Sequence, residues 1–187
     1  MSILSYPKIE EYQLPHKNIL VISCIDLRLT DNLLHFLHHD NLHNRYDHFA
    51  LAGTSLCTHA AHEHRHRFDP QALKTYDHFK PWKTTLDHHL AIAVKLHDIK
   101  DVYIIEHEDC GAYKEFLIDG TGTFSSREEE YQCHKEFALT LAREIHTKPF
   151  PKEVVKGNEI VLENHQLNVH CFFIDLRGNV RLMDSLT

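Results

Sequence analysis

The chain is poor in the residues and runs that mark fibrous, secreted and membrane-embedded proteins. Six glycines and six prolines among 187 residues exclude a collagen-like or low-complexity chain. Nowhere do 18 apolar residues run together, which excludes a membrane-spanning helix. The first residues, Met-Ser-Ile-Leu-Ser-Tyr-Pro-Lys, carry no positive segment followed by an apolar one, so no signal peptide is expected. Five cysteines, an odd number at irregular spacing, do not make a disulfide framework, and a reducing cytoplasm is the expected compartment. Basic clusters are missing as well. With 27 acidic against 20 basic side chains and a formal charge of −7, neither nucleic acid nor a membrane is an expected partner, and a small molecule is.

What is there is the balance of a globular protein, 42% hydrophobic and 25% charged residues, in a length that buries a sizeable core in one domain. Histidine is abundant: 19 in all, enough to reverse the sign of the formal charge as pH falls from about 7 to 5. Residues 1–16 are polar with two prolines and read as an N-terminal arm outside the core; residues 17–187 read as a single α/β domain.

Within that domain, Asn18-Ile-Leu-Val-Ile-Ser-Cys24 and Val102-Tyr-Ile-Ile-Glu106 are continuous apolar runs, the pattern of strands buried on both faces of a parallel sheet. Tyr46 to Ala52, closed by Gly53, is a further strand. Helices are predicted from Thr30 or Asp31 to His39, within Leu56–Arg67, from Pro70 until Pro81 breaks it, over Lys83–His97, and over Gly111–Ile118, closed by a Gly120-Thr-Gly122 turn. Ser125-Ser-Arg-Glu128 reads as the capping box of a long helix to His146, with Phe137, Leu141 and Ile145 inward and Glu128 to Glu130 in the favourable field of its first turn. Asn168–Asp175 and Val180–Met183 are strands joined by a hairpin turn at Arg177-Gly178-Asn179. The expected fold is therefore a mainly parallel β-sheet flanked by helices, with an antiparallel edge near the C-terminus.

Ligand sites in open α/β sheets lie beyond the carboxyl ends of the strands, where strand order reverses. Two such ends carry reactive groups. The first buried strand finishes with Cys24-Ile25-Asp26-Leu27-Arg28, the later one with His107-Glu108-Asp109-Cys110-Gly111. If the two strands are neighbours, two thiols and one imidazole converge, and Cys2His is a zinc ligand set that leaves a fourth tetrahedral position for water. Thiolates offset the charge of Zn²⁺, and bound water then loses a proton near neutral pH. Asp26 could accept a hydrogen bond from that water or ligate zinc directly, and Arg28 could hold Asp26 in a bidentate pair. Asp109 is expected to bond the loop backbone. Cys57, Cys133 and Cys171 lack ligand spacing and read as core or surface thiols. His35 with His38 or His39, and His59 with His62, stand at helical spacing on solvated faces. Phe79, Trp82 and Tyr113 are core or pocket-wall aromatics.

The paired motifs, Cys-x-Asp-x-Arg and then His-x-x-Cys-Gly some eighty residues later, resemble those of the β-class carbonic anhydrases. The resemblance covers residues 17–118 and, more loosely, the C-terminal strands. It implies a parallel-sheet fold, an obligate dimer embraced by N-terminal arms, with a homodimer or homotetramer as the assembly, and reversible hydration of CO2 to bicarbonate. It also implies zinc held by Cys24, His107 and Cys110, with Asp26 and Arg28 as the catalytic dyad; in some members the aspartate takes the fourth metal position. Three departures stand out. Glu106 occupies the position before the metal histidine where the family usually has glycine, so its side chain must reach solvent or find a partner. Glu108 replaces a small polar residue, and Ala50-Leu-Ala-Gly53-Thr54 replaces the usual Arg-Asn-Ala-Gly-Asn. Two alternatives keep the metal: hydrolysis of a CO2 analogue such as carbonyl sulfide or carbon disulfide, and non-catalytic metal buffering.

Overall fold

The computed structural model describes residues 4–59, 64–75, 79–117 and 124–187. The expected Gly120–Gly122 turn, His62 and the side chains of His59 and Phe79 lie outside what is described. Strands β1 (Ile19–Ser23), β2 (Tyr46–Ala50), β3 (Asp101–His107), β6 (Asn168–Ile174) and β7 (Val180–Leu186) form one sheet in the order β2-β1-β3-β6-β7. All pairs are parallel except the β6–β7 edge. Every residue of β1 and β3 is buried, as their unbroken apolar runs require. The chain goes from β1 outward to β2, then crosses back to β3 on the other side of β1. This reversal opens a crevice at the carboxyl ends of β1 and β3.

The two faces of the sheet are covered by different helices. Helix α1 (Thr30–His39) buries Leu33, Phe36 and Leu37, and Phe36 packs against Tyr103 and Phe172 on one face. Helix α6 (Arg127–Thr147) buries Phe137, Leu141 and Ile145 and lies on the other face, where Cys171 meets its Ala138 carbonyl. Each fully buried side chain of this size contributes about 1.5–3 kcal/mol. The α6 cap sits one residue later than the sequence suggests. Ser126 is the N-cap and accepts from the Glu129 amide at 3.1 Å, while Glu129 reaches back to the Ser125 amide at 2.7 Å.

The described residues also include the α-helices α2 (Leu56–His59), α3 (Pro70–Thr75), α4 (Phe79–His97) and α5 (Gly111–Phe116). Pro81, expected to end a helix, instead lies in the first turn of α4. There the missing N–H has no intrahelical partner to lose. Residues 4–16, expected outside the core, contribute Tyr12 to it. The Tyr12 hydroxyl donates to the carboxylate of Asp40 at 2.6 and 2.7 Å, and the Tyr103 hydroxyl donates to the same group at 2.8 Å. Burial and Asp40 together raise the pKa of both phenols, so both stay donors.

Residues 147–167, which carry no expected element, supply a separate antiparallel hairpin, β4 (Phe150–Lys156) with β5 (Glu159–His165). It turns at Gly157-Asn158, where Gly157 has φ +62°, a conformation glycine adopts without strain. Lys152 ties the hairpin to Asp98, which also binds Lys17. No helix among the described residues is long and apolar enough to cross a membrane.

Candidate metal centre

Strand β1 ends at Ser23, so Cys24 is the first residue past the sheet, and β3 ends at His107 one strand away. The short Glu108–Cys110 turn, with Asp109 at φ +62°, folds the chain back so that Cys110 becomes the N-cap of α5. One ligand atom each from Cys24, His107 and Cys110 lies within 4.8 Å of the others, and all three residues are buried. No other group of three such residues meets that closeness among the described residues. The structure thus brings together the three residues that the sequence motifs single out.

The donors fit a tetrahedral metal. The two sulfurs are 3.9 Å apart, close to the roughly 3.8 Å edge of a tetrahedron with metal–sulfur bonds of about 2.3 Å. His107 Nδ1 lies 2.9 Å from the Glu108 carbonyl oxygen. A carbonyl only accepts, so Nδ1 carries the hydrogen and Nε2 presents its lone pair. That Nε2 atom is buried and has no hydrogen-bond partner, an expensive arrangement for a polar atom unless a ligand takes it. The Cys24 thiol is driven below its ordinary pKa by its hydrogen bond with Cys110, against burial, with help from His107 and the Gly53 amide. Cys110 is pushed up by the same hydrogen bond and by burial. The Gly53 amide donates to Cys24 Sγ at 3.4 Å.

Asp26 and Arg28 stand beside this group as a pair. Arg28 donates from Nε to Oδ1 at 3.0 Å and from a terminal nitrogen to Oδ2 at 2.6 Å, the bidentate geometry that orients a carboxylate. Its backbone amide adds a third bond at 3.0 Å. These bonds lower the Asp26 pKa to about 2, burial opposing. Asp26 is not one of the mutually close metal donors; Arg28 holds it. Asp109, expected on the loop backbone, instead accepts from Arg28 at 2.8 Å and from Lys114, and its carbonyl oxygen accepts from Arg28 at 2.9 Å. Arg28 therefore joins the two ligand-bearing loops. A cavity of about 150 Å³ opens here, lined by Cys24, Asp26, Ser23, Leu33, His48 and Ala50, well above the room one water needs.

Glu106, the residue that must reach solvent or a partner, is fully buried and partnered. It accepts from the Ser55 amide at 3.0 Å and from the Ser55 hydroxyl, and its other oxygen is 2.8 Å from His134 Nδ1 on α6. Glu108 is held off the centre by Arg127 at 3.1 Å and by the Leu176 amide at 3.2 Å. Glu130, expected to serve only the helix dipole, accepts from the Asp109 amide at 2.6 Å. Gly53 has φ +71°, and a Cβ there would lie 2.9 Å from Ala112 Cβ. Cys57, Cys133 and Cys171 are buried thiols apart from the ligand group. The triplet Asp175-Leu176-Arg177 forms a turn in which Asp175 accepts from the Arg177 and Asn179 amides at 2.9 and 2.8 Å.

Comparison with known proteins supports the fold. No protein-family profile matches the chain. An uncharacterized protein of Rickettsia bellii is 29% identical over 159 residues, spanning 85% of this chain and 77% of its own length. One of Rickettsia conorii is 28% identical over 161 residues, spanning 86% and 69%. Among solved structures, the β-carbonic anhydrase CafD of Aspergillus fumigatus matches with a TM-score of 0.51 at 10% identity, over 94% of each chain. A carbonic anhydrase from Glaciozyma antarctica matches with a TM-score of 0.47 at 15% identity, over 94% of this chain and 88% of its own. The architecture is that of the β-carbonic anhydrases, and the buried Cys-His-Cys group it carries is compatible with a metal ion.

Proposed function

We propose that the chain is a zinc-dependent enzyme of the β-carbonic anhydrase kind, converting CO2 and water to bicarbonate and a proton. The observation that carries this reading is the convergence of three buried donors, with an unpartnered His107 nitrogen among them, beside a carboxylate gripped by arginine. Cys24, His107 and Cys110 would hold the zinc. When bound, it supplies Lewis acidity to a water at the position the protein leaves open.

The remaining work falls to the chain itself. Asp26, ionised well below neutral pH, takes a hydrogen bond from the nucleophile through a lone pair that Arg28 leaves free, and so fixes its direction. Arg28 keeps that carboxylate charged and unable to swing away. The largely apolar wall of the neighbouring cavity, with Leu33 and Ala50, suits an uncharged substrate. The same reading includes a homo-oligomer, dimer or tetramer. Ile25 and Leu27, which flank Asp26, are 65% and 86% exposed, and a second copy laid over them would remove that apolar surface from water.

Stopped-flow CO2 hydration by the zinc-loaded protein tests the activity. A rate above buffer at pH 8 is expected, and a rate equal to buffer rejects it. Sulfide release from carbonyl sulfide or carbon disulfide would redirect the reading to those substrates.

A further inference from the structure

The three ligands come from two chain segments, the ends of the paired strands β1 and β3, and both cysteines lie past the last residue of their strand. Cys24 hangs from the end of β1, while His107 and Cys110 bracket the turn after β3. Their mutual placement depends on what ties those segments together. On one side that is Arg28 with Asp109, already described. The other side is a buried strap around the segment Gly53-Thr54-Ser55, between β2 and α2.

Gly53 begins the strap by donating its amide to Cys24 Sγ at 3.4 Å. Thr54 then donates its hydroxyl to the carbonyl of Ile105 at 3.2 Å. Ser55 donates its amide at 3.0 Å, and its hydroxyl as well, to one oxygen of Glu106. Within three residues the segment runs from the sulfur of one ligand to the two residues preceding another. The second oxygen of Glu106 is fixed by His134 of α6 at 2.8 Å. The His134 ring stacks on Tyr113 with centroids 3.6 Å apart, and Tyr113 belongs to α5, the helix that Cys110 caps. Glu106 and His134 are each 0% exposed.

The geometry points to Ser55, Glu106 and His134 as positioning residues of the metal centre: one buried network that holds the Cys24, His107 and Cys110 donors in register. An apolar core would fill this space without burying an acid and a base. Burying them with both Glu106 oxygens and His134 Nδ1 hydrogen-bonded, His134 Nε2 alone lacking a partner, instead fixes one relative placement of four elements, because these contacts are lost if any of them shifts. The inference rests on the metal reading above, and it concerns how tightly and in what geometry the site takes an ion.

The test is titration of the metal-free full chain with Co²⁺, followed by the thiolate-to-cobalt charge-transfer and ligand-field bands. Wild type is expected to bind one ion with a tetrahedral spectrum. Ser55→Ala, which keeps the backbone bond to Glu106, is expected to weaken Co²⁺ binding about tenfold, within the range for outer partners of metal ligands. Glu106→Leu/His134→Phe, which keeps the packing and removes the pair, should approach a hundredfold loss and change the ligand-field bands. Glu106→Gln, close in size and still able to accept from Ser55, should recover most of the wild-type affinity and spectrum. Melting of each metal-free variant reports folding separately; should the double variant not fold, Ser55→Ala decides. Folded variants that bind Co²⁺ with wild-type affinity and bands overturn the positioning role alone. A wild type that takes no Co²⁺ overturns the metal reading and this inference with it.

Discussion

The sulfur atoms of Cys24 and Cys110 lie 3.9 Å apart across 86 residues of chain. Neither is placed by local sequence. The parallel pairing of Ser23 with Ile105 carries both strand ends to one edge of the sheet, and the turn through Asp109 completes the approach. The spacing is nearly double the roughly 2.0 Å of a disulfide and matches two ligands of one ion.

Replacing Cys110 by Ser removes one of two thiolates from this set. The purified variant should retain well under half of the wild-type zinc per chain after desalting, measured by elemental analysis, while still folding because the change is nearly isosteric. Full zinc retention would show that the ion is held elsewhere.

Asp26→Asn keeps the size and removes the charge that Arg28 orients. Zinc content should stay at the wild-type level, since Asp26 is outside the group of close donors, while turnover falls about a hundredfold or more. Loss of zinc in this variant would instead make Asp26 a ligand.

Gly53→Ala places a Cβ 2.9 Å from Ala112 Cβ on a backbone at φ +71°. Strain of about 1–3 kcal/mol is expected, which lowers the melting temperature by several degrees. Displacing the amide that faces Cys24 should also weaken metal binding. An unchanged melting curve would mean that the loop has room to relax.

Asp98 gives a pH signature. Its carboxyl is lowered to about 2 by Lys152 and Lys17, burial opposing. A carboxyl with a depressed folded pKa stabilises the fold above the unfolded value near 4, and the contribution disappears as pH falls through about 2. The side chain is 40% exposed, so solvent screening limits the effect to under about 1 kcal/mol. In urea unfolding, Asp98→Asn should be slightly less stable than wild type at pH 6 and converge with it near pH 2. A gap that widened on acidification would contradict the assignment.

The sequence made legible whatever is encoded within one element. Ile19 to Ser23 and Val102 to Ile105 read as buried strands because every position is apolar or small, and Phe137, Leu141 and Ile145 read as an inward stripe because their spacing is helical. The ligand motifs were legible for the same reason: each is a short run ending one strand. What escaped depends on contacts between distant segments. Glu106 gave a warning, an acid ending an apolar run, but its partner His134 lies 28 residues away on another element. His134 itself carried only the weak signal of sharing a helical face with Ala138 and Leu141. The β4–β5 hairpin had a local signal, two β-branched runs around Gly157-Asn158, obscured by the charged residues Lys152, Glu153, Lys156, Glu159 and Glu163 that flank those runs.

The clasp between Tyr12 and Asp40 bears on how the molecule can be shortened or fused. A version begun after Tyr12 would leave an interior carboxylate with one phenol in place of two, and desolvated acid with too few donors pulls water inward. The segment from Tyr6 to Tyr12 therefore behaves as a plug for the sheet's α1 side, and trimming it for convenience removes part of the wall it closes.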